Sequence, residues 1–192
     1  MTERASNPLT LPSLPSLAVK TVVVHTVTYF IAGVLAYTIN DYQTAYAKPP
    51  LSYIMRPTTD AVVMAGPLFQ PIRGIIFALA LYPLRTILFE QHRGWLILWW
   101  LLLAVGVLST FGPAFGSVEG LIYTVVPPRA QIVGLWEVVL QSFLLSFILY
   151  HWVRGPRRRW LDWTLGVAFI VVIALPVLGL LTRSSSKGLQ GV

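Results

Sequence analysis

The sequence predicts an all-α integral membrane protein of about five transmembrane helices, the second kinked or broken, with a short interfacial or re-entrant segment at about 113–128. Two observations carry this prediction. The 192-residue chain is 56% hydrophobic and only 11% charged, with a mean hydropathy of +0.71. Soluble domains carry roughly 25% charged residues, so this chain has too little charge to cover a water-facing surface, and lipid must be its main solvent. The apolar residues also gather in stretches of about 20, the length an α-helix needs to span the hydrocarbon core.

One transmembrane helical domain is expected at 20–183, between a cytoplasmic N-terminal tail (1–19) and a flexible C-terminal tail (184–192). The N-tail holds Pro8, Pro12 and Pro15 and reads as extended. Its apolar run begins only after Lys20 and is too long for a cleaved signal, which makes the first span an uncleaved signal anchor. Span one (about 21–40) is uncharged and ends at Asn40 and Asp41. Thr21, His25, Thr28 and Ala32 fall on one face of it, a packing face with a polar stripe.

The loop that follows contains Pro49, Pro50 and Pro57, which forbid a regular helix, and Tyr42, Tyr46 and Tyr53, which suit a membrane interface. Span two (about 61–89) contains Pro67, Pro71 and Pro83, and each proline removes a backbone hydrogen bond. Span three (about 95–112) is uncharged. The stretch 113–128 is apolar but short, and Gly112, Gly116 and Gly120 read as turn glycines rather than a helix-packing motif. Span four (about 130–153) holds one acid, Glu137, and span five (about 160–182) contains Pro176. No internal repeat is visible.

Basic residues set the orientation. Arg4, Lys20, Arg85, Arg93, Arg154, Arg157, Arg158 and Arg159 fall on one side, and Lys48, Arg56, Arg129, Arg183 and Lys187 on the other. The positive-inside rule then places the N-terminus in the cytoplasm and the C-terminus outside, in a bacterial-type plasma membrane. Trp95, Trp99, Trp100, Trp152, Trp160 and Trp163 form an inner aromatic belt, with Trp136 near the outer end. The net charge of +7 is assigned to lipid head groups, which Arg154, Arg157, Arg158 and Arg159 would contact. No nucleic-acid-binding pattern accompanies that charge. With no cysteine, disulfides, thiolate metal sites, iron–sulfur clusters and a cysteine nucleophile are excluded.

Arg73 is the sharpest feature, because a mid-span arginine costs about 2.5–3.5 kcal/mol to insert and needs a partner. Glu137 is the expected partner, Gln70 and Gln141 extend the polar surface, and Glu119 is a second candidate. His25, His92 and His151 match no metal motif in sequence, but the topology puts all three near the cytoplasmic side, where they could hold zinc or ligate haem or a pigment. No zinc-protease, nucleophile-elbow or phosphate-loop motif is present, and no cofactor is identified. Three functions compete. The foremost is a non-enzymatic accessory or scaffold subunit, with protein partners or further copies of itself in the membrane. The others are a small transporter or channel built on Arg73 and Glu137, and a membrane enzyme acting on a lipid or isoprenoid.

Overall fold

The computed structural model describes residues 11–156 and 158–189. The expectations for residues 1–10, including Arg4, for Arg157 and for the last residues of the C-tail lie outside these. The fold is all-α. Four apolar helical stretches are long enough to cross a membrane: 14–39, 66–90, 128–154 and 159–183.

α1 (Leu14–Ile39) starts before the expected boundary, because Pro15 sits in its first turn, where the missing N–H would have no partner anyway. The helix ends at Asn40, and Asp41 turns the chain in the left-handed region at φ 45° while its side chain accepts from the Thr44 N–H. Asp tolerates that conformation better than most residues. α2 (Tyr42–Tyr46) follows at once.

α1 is the hub, packed along the stretches 66–90, 128–154 and 159–183. Its polar face is its buried face: Thr21, His25 and Thr28 are fully buried, with Ala32 and Ala36 continuing the line. The physical reason is the solvent. A leucine gains little by leaving lipid for protein, whereas a polar side chain gains about 0.6 kcal/mol on average from a partner on another helix, as His25 finds in Gln70. The helix with a polar stripe therefore takes the centre, and the uniformly apolar helices stay outside. Small residues let the backbones close: a Cβ added to Gly74 would lie 2.7 Å from the Val22 Cα.

The second stretch is segmented, though not where Pro71 stands. α3 (Ala61–Met64) is N-capped by Asp60, whose side chain accepts from the Val62 N–H at 2.8 Å. After a turn at Ala65, α4 (Gly66–Leu81) runs through Pro71 without a break. Pro67 lies in its first turn, and the Gln70 amide donates to the Gly66 carbonyl at 3.1 Å. The interruption comes at Pro83, where a 3-10 turn (Tyr82–Leu84) leads into α5 (Arg85–Glu90).

The third expected span is shorter than its apolar run. α6 (Gly94–Leu103) continues as a π-helical turn to Leu108, and the backbone then becomes irregular. Fifteen residues reach about 22 Å, less than the roughly 30 Å of hydrocarbon. Ser109 closes the end, its N–H and hydroxyl both donating to the Ala104 carbonyl at 2.9 and 2.6 Å.

Residues 109–127 include one short helix, α7 (Val118–Tyr123), capped by Ser117. They are organised around Gln131, a buried residue that belongs to no sequence motif. Its carbonyl oxygen accepts from the Gly116 N–H at 3.1 Å, and its amide donates to the Gly120 carbonyl, the Thr124 hydroxyl and the Val126 carbonyl at 3.2, 3.1 and 2.8 Å. Irregular backbone is tolerated within a membrane only where protein satisfies its polar groups, and Gln131 supplies that. Gly116 has φ +81° and is a turn glycine, whereas Gly120, expected in a turn, lies within α7, where its missing side chain lets the helix pack on the Ala114 carbonyl.

α8 (Pro128–Arg154) and α9 (Arg159–Leu189) complete the bundle, and Pro176 does not interrupt α9. Hydrogen bonds define the two ends. At the basic end the Lys20 ammonium donates to the Trp152 carbonyl at 2.9 Å, and the Tyr150 hydroxyl donates to the Gln91 and His92 carbonyls at 2.8 and 2.9 Å. At the opposite, tyrosine-rich end, Trp136 donates to the Asn40 side chain at 3.1 Å, and Arg183 donates to the Thr59 carbonyl. The main core cluster, built on Leu17, Leu81, Leu88, Leu98, Leu149 and Tyr150, fills the basic half.

Candidate functional site

Arg73 reaches a cavity of about 200 Å³ between α1, α4, α6, α8 and the irregular segment. His25, Gln141 and Ser142 supply the rest of its polar wall, and Phe77, Leu102, Phe115 and Leu145 much of the apolar wall. The site lies at mid-depth, since Gln141 and Ser142 are near the middle of α8 and His25 near the middle of α1. The Arg73 guanidinium stands 5.4 Å from the Phe77 ring centroid, a cation–π contact.

The expected ion pair between Arg73 and Glu137 is not formed. Glu137 accepts a short hydrogen bond from the Tyr42 hydroxyl instead. Tyr42 in turn accepts from the Asn40 amide at 3.2 Å, and Asn40 accepts from Trp136, beside Glu137. A closed network thus ties the end of α1 to α8 and takes the carboxylate toward the tyrosine end, one turn of α8 away from Gln141. Glu119, in the first turn of α7, does not line the Arg73 cavity.

His25 is fully buried and its Nε2 lies 3.1 Å from the Gln70 side-chain oxygen. Gln70 therefore clasps two helices, binding His25 across to α1 and Gly66 within α4. The His25 Nδ1 has no hydrogen-bond partner among the described residues.

The three histidines do not form a metal-binding layer: among the described residues no group of three His, Cys, Asp or Glu side chains could hold an ion. His151 packs against the rings of Phe147 and Tyr150 with centroids at 4.4 and 5.1 Å, and the His92 carbonyl accepts from Tyr150. Of the basic linker, Arg154 is engaged with protein, donating to the Gln91 carbonyl at 2.7 Å and to the Tyr150 hydroxyl. Arg158 and Arg159 are exposed.

Two further clefts lie beside the Arg73 cavity. One of about 240 Å³ shares Phe115 and Val138 with it. The other, of about 360 Å³, shares Tyr42, Tyr46 and Glu137 with the second. Neighbouring clefts thus share walls between the middle of the bundle and the tyrosine end. Burial, and then the bond to the Glu137 carboxylate, hold the Tyr42 phenol well above its ordinary range. Burial and the Glu137 charge push Tyr46 up to about 12. Both remain neutral phenols near neutral pH.

No family model matches the chain, and neither a curated protein nor a solved structure matches it.

Proposed function

We propose that this polytopic membrane protein binds an anionic amphiphile, with Arg73 holding the anionic head at mid-depth and the clefts admitting it from the tyrosine end. One observation carries the reading: the cavity that Arg73 lines has no acidic residue in its wall, and Arg73 has no ion-pair partner among the described residues. A cation within the membrane is costly without a counter-charge. A phosphate or carboxylate head would supply that charge through strong, charge-assisted hydrogen bonds. Gln141, Ser142 and the unpartnered His25 nitrogen offer further polar contacts. The apolar wall suits the start of a hydrocarbon chain.

In this reading the chain crosses the membrane five times, the fifth crossing being α6 completed by the irregular segment. The basic end is cytoplasmic and the clefts open outward. The test is titration of dioctanoyl phosphatidic acid into the purified chain in neutral detergent, followed by native mass spectrometry. Losing a hydrogen-bonded charge contact of about 1.5–3 kcal/mol predicts at least roughly tenfold weaker binding to Arg73→Gln. Equal binding to both would sink the reading. Flux of the same amphiphile in proteoliposomes, lost in Arg73→Gln, would extend it from binding to transport.

A second reading, an accessory or scaffold subunit with protein partners or copies of itself, draws on the outer surface. Trp100, Trp160, Trp163 and Phe111 are largely exposed, and aromatic side chains of this kind anchor interfaces. Gentle extraction from native membrane would then recover stoichiometric protein, and a chain carrying only lipid would count against it. The membrane-enzyme alternative has less support. Glu137 is engaged by Tyr42, Glu119 lies off the cavity, and the histidines are dispersed.

A further inference from the structure

We propose that the cleft at the tyrosine end is a second site, for a monovalent organic cation of the quaternary-ammonium class, held by the Glu137 carboxylate and the rings of Tyr42 and Tyr46. Three observations carry this, none of which involves Arg73.

The first is charge. Among the described residues Glu137 is the only charged one in the walls of the two outer clefts, and neither wall contains a lysine, arginine or histidine. The second is ring geometry. Tyr42 and Tyr46 stack with centroids 4.8 Å apart and planes 19° apart, and Tyr29, Phe30 and Tyr37 add aromatic wall around about 360 Å³. The negative faces of such rings attract a desolvated cation. The third is the carboxylate itself. Its Oε2 accepts from Tyr42, while Oε1 accepts no hydrogen bond among the described residues.

A bare metal ion fits poorly, since it needs several oxygen ligands converging at short range. A quaternary ammonium needs none and gains from ring faces instead. The outer clefts and the Arg73 cavity thus select opposite charges, and they share walls through Phe115 and Val138.

The experiment is equilibrium dialysis of radiolabelled benzyltrimethylammonium against the full chain in neutral detergent, with its uncharged isostere neopentylbenzene as control. The cation should bind at least about tenfold more tightly than the isostere, and Glu137→Gln should remove that preference. Arg73→Gln removes a positive charge that reaches the Tyr29 wall, so it should not weaken cation binding, which separates this site from the anion reading. Equal binding of cation and isostere would overturn the proposal. So would an undiminished preference for the cation in Glu137→Gln, because the carboxylate would then not be its counter-charge.

Discussion

The half of the bundle toward the basic end is filled, and the half toward the tyrosine end is cleft, although the same helices run through both. In the filled half Leu17, Leu98 and Leu149 are fully buried, and Lys20, Tyr150 and Arg154 close the end by donating to backbone carbonyls. In the cleft half, hydrogen bonds run between side chains of α1, α2 and α8, and open space remains between them. The difference teaches what drives packing here. Hydrophobic transfer is weak between protein and lipid, so close contact forms where side chains interlock or polar groups find partners. Where large tyrosines meet at one short helix, neither condition fills the volume.

Substitutions should report this contrast unevenly. Leu149→Ala, in the filled half, should lose about 2–5 kcal/mol through the cavity it leaves, read by reversible unfolding in mixed micelles. Val34, which lines the outer cleft and is 47% exposed, should change stability by less than about 0.5 kcal/mol when replaced by Ala. Comparable losses at the two positions would erase the distinction between the halves.

Gln131→Leu comes next, with a loss of about 1–3 kcal/mol from stranded buried backbone groups. Hydrogen exchange should show the Gly116 amide unprotected while the amides of α1 keep their protection. Tyr42→Phe, which cuts the bond between α2 and α8, should cost about 0.5–1.5 kcal/mol and leave the unfolding of the basic half unchanged.

The smallest effect is with pH. The Tyr46 phenol is raised from 10.0 to about 12, so the folded state holds its proton more tightly than the unfolded chain. Its contribution is complete below pH 10 and is lost as pH rises toward 12. Tyrosinate absorbance should show a component near pH 12 that Tyr46→Phe removes while the later Tyr42 component remains, and the alkaline loss of stability should shrink with it.

The membrane class and the long helices were legible because length and charge content settle them. The buried face of α1 was legible too, since Thr21, His25 and Thr28 recur at helical spacing in an otherwise apolar run. The short third helix was not. The apolar run through Leu108 and Phe111 reads as one span, and only tertiary contacts to Gln131 show that the backbone leaves the helix early. Gln131 itself looked like any polar residue near a helix start. In the site, Arg73 was identified, and so was its need for a partner. Its pairing with Glu137 is not seen: the carboxylate is bonded to Tyr42, ninety-five residues earlier in the chain, and does not line the Arg73 cavity. The clasp between Gln70 and His25 had no sequence signal, as it depends on how closely Gly74 lets α4 approach α1.

The central claim is that the Arg73 cavity is reached from the tyrosine end and closed toward the basic end. The chain has no native cysteine, so single cysteines report accessibility without background. Ser142 lines the cavity and Ser146, one turn further toward the basic end, is fully buried. In sealed vesicles of known orientation, Ser142→Cys should react with an impermeant anionic thiosulfonate added on the tyrosine-end side, more slowly when Arg73 is also Gln, and Ser146→Cys should not react. Labelling of Ser142→Cys only from the basic side, or equal labelling of the two positions, would contradict the account.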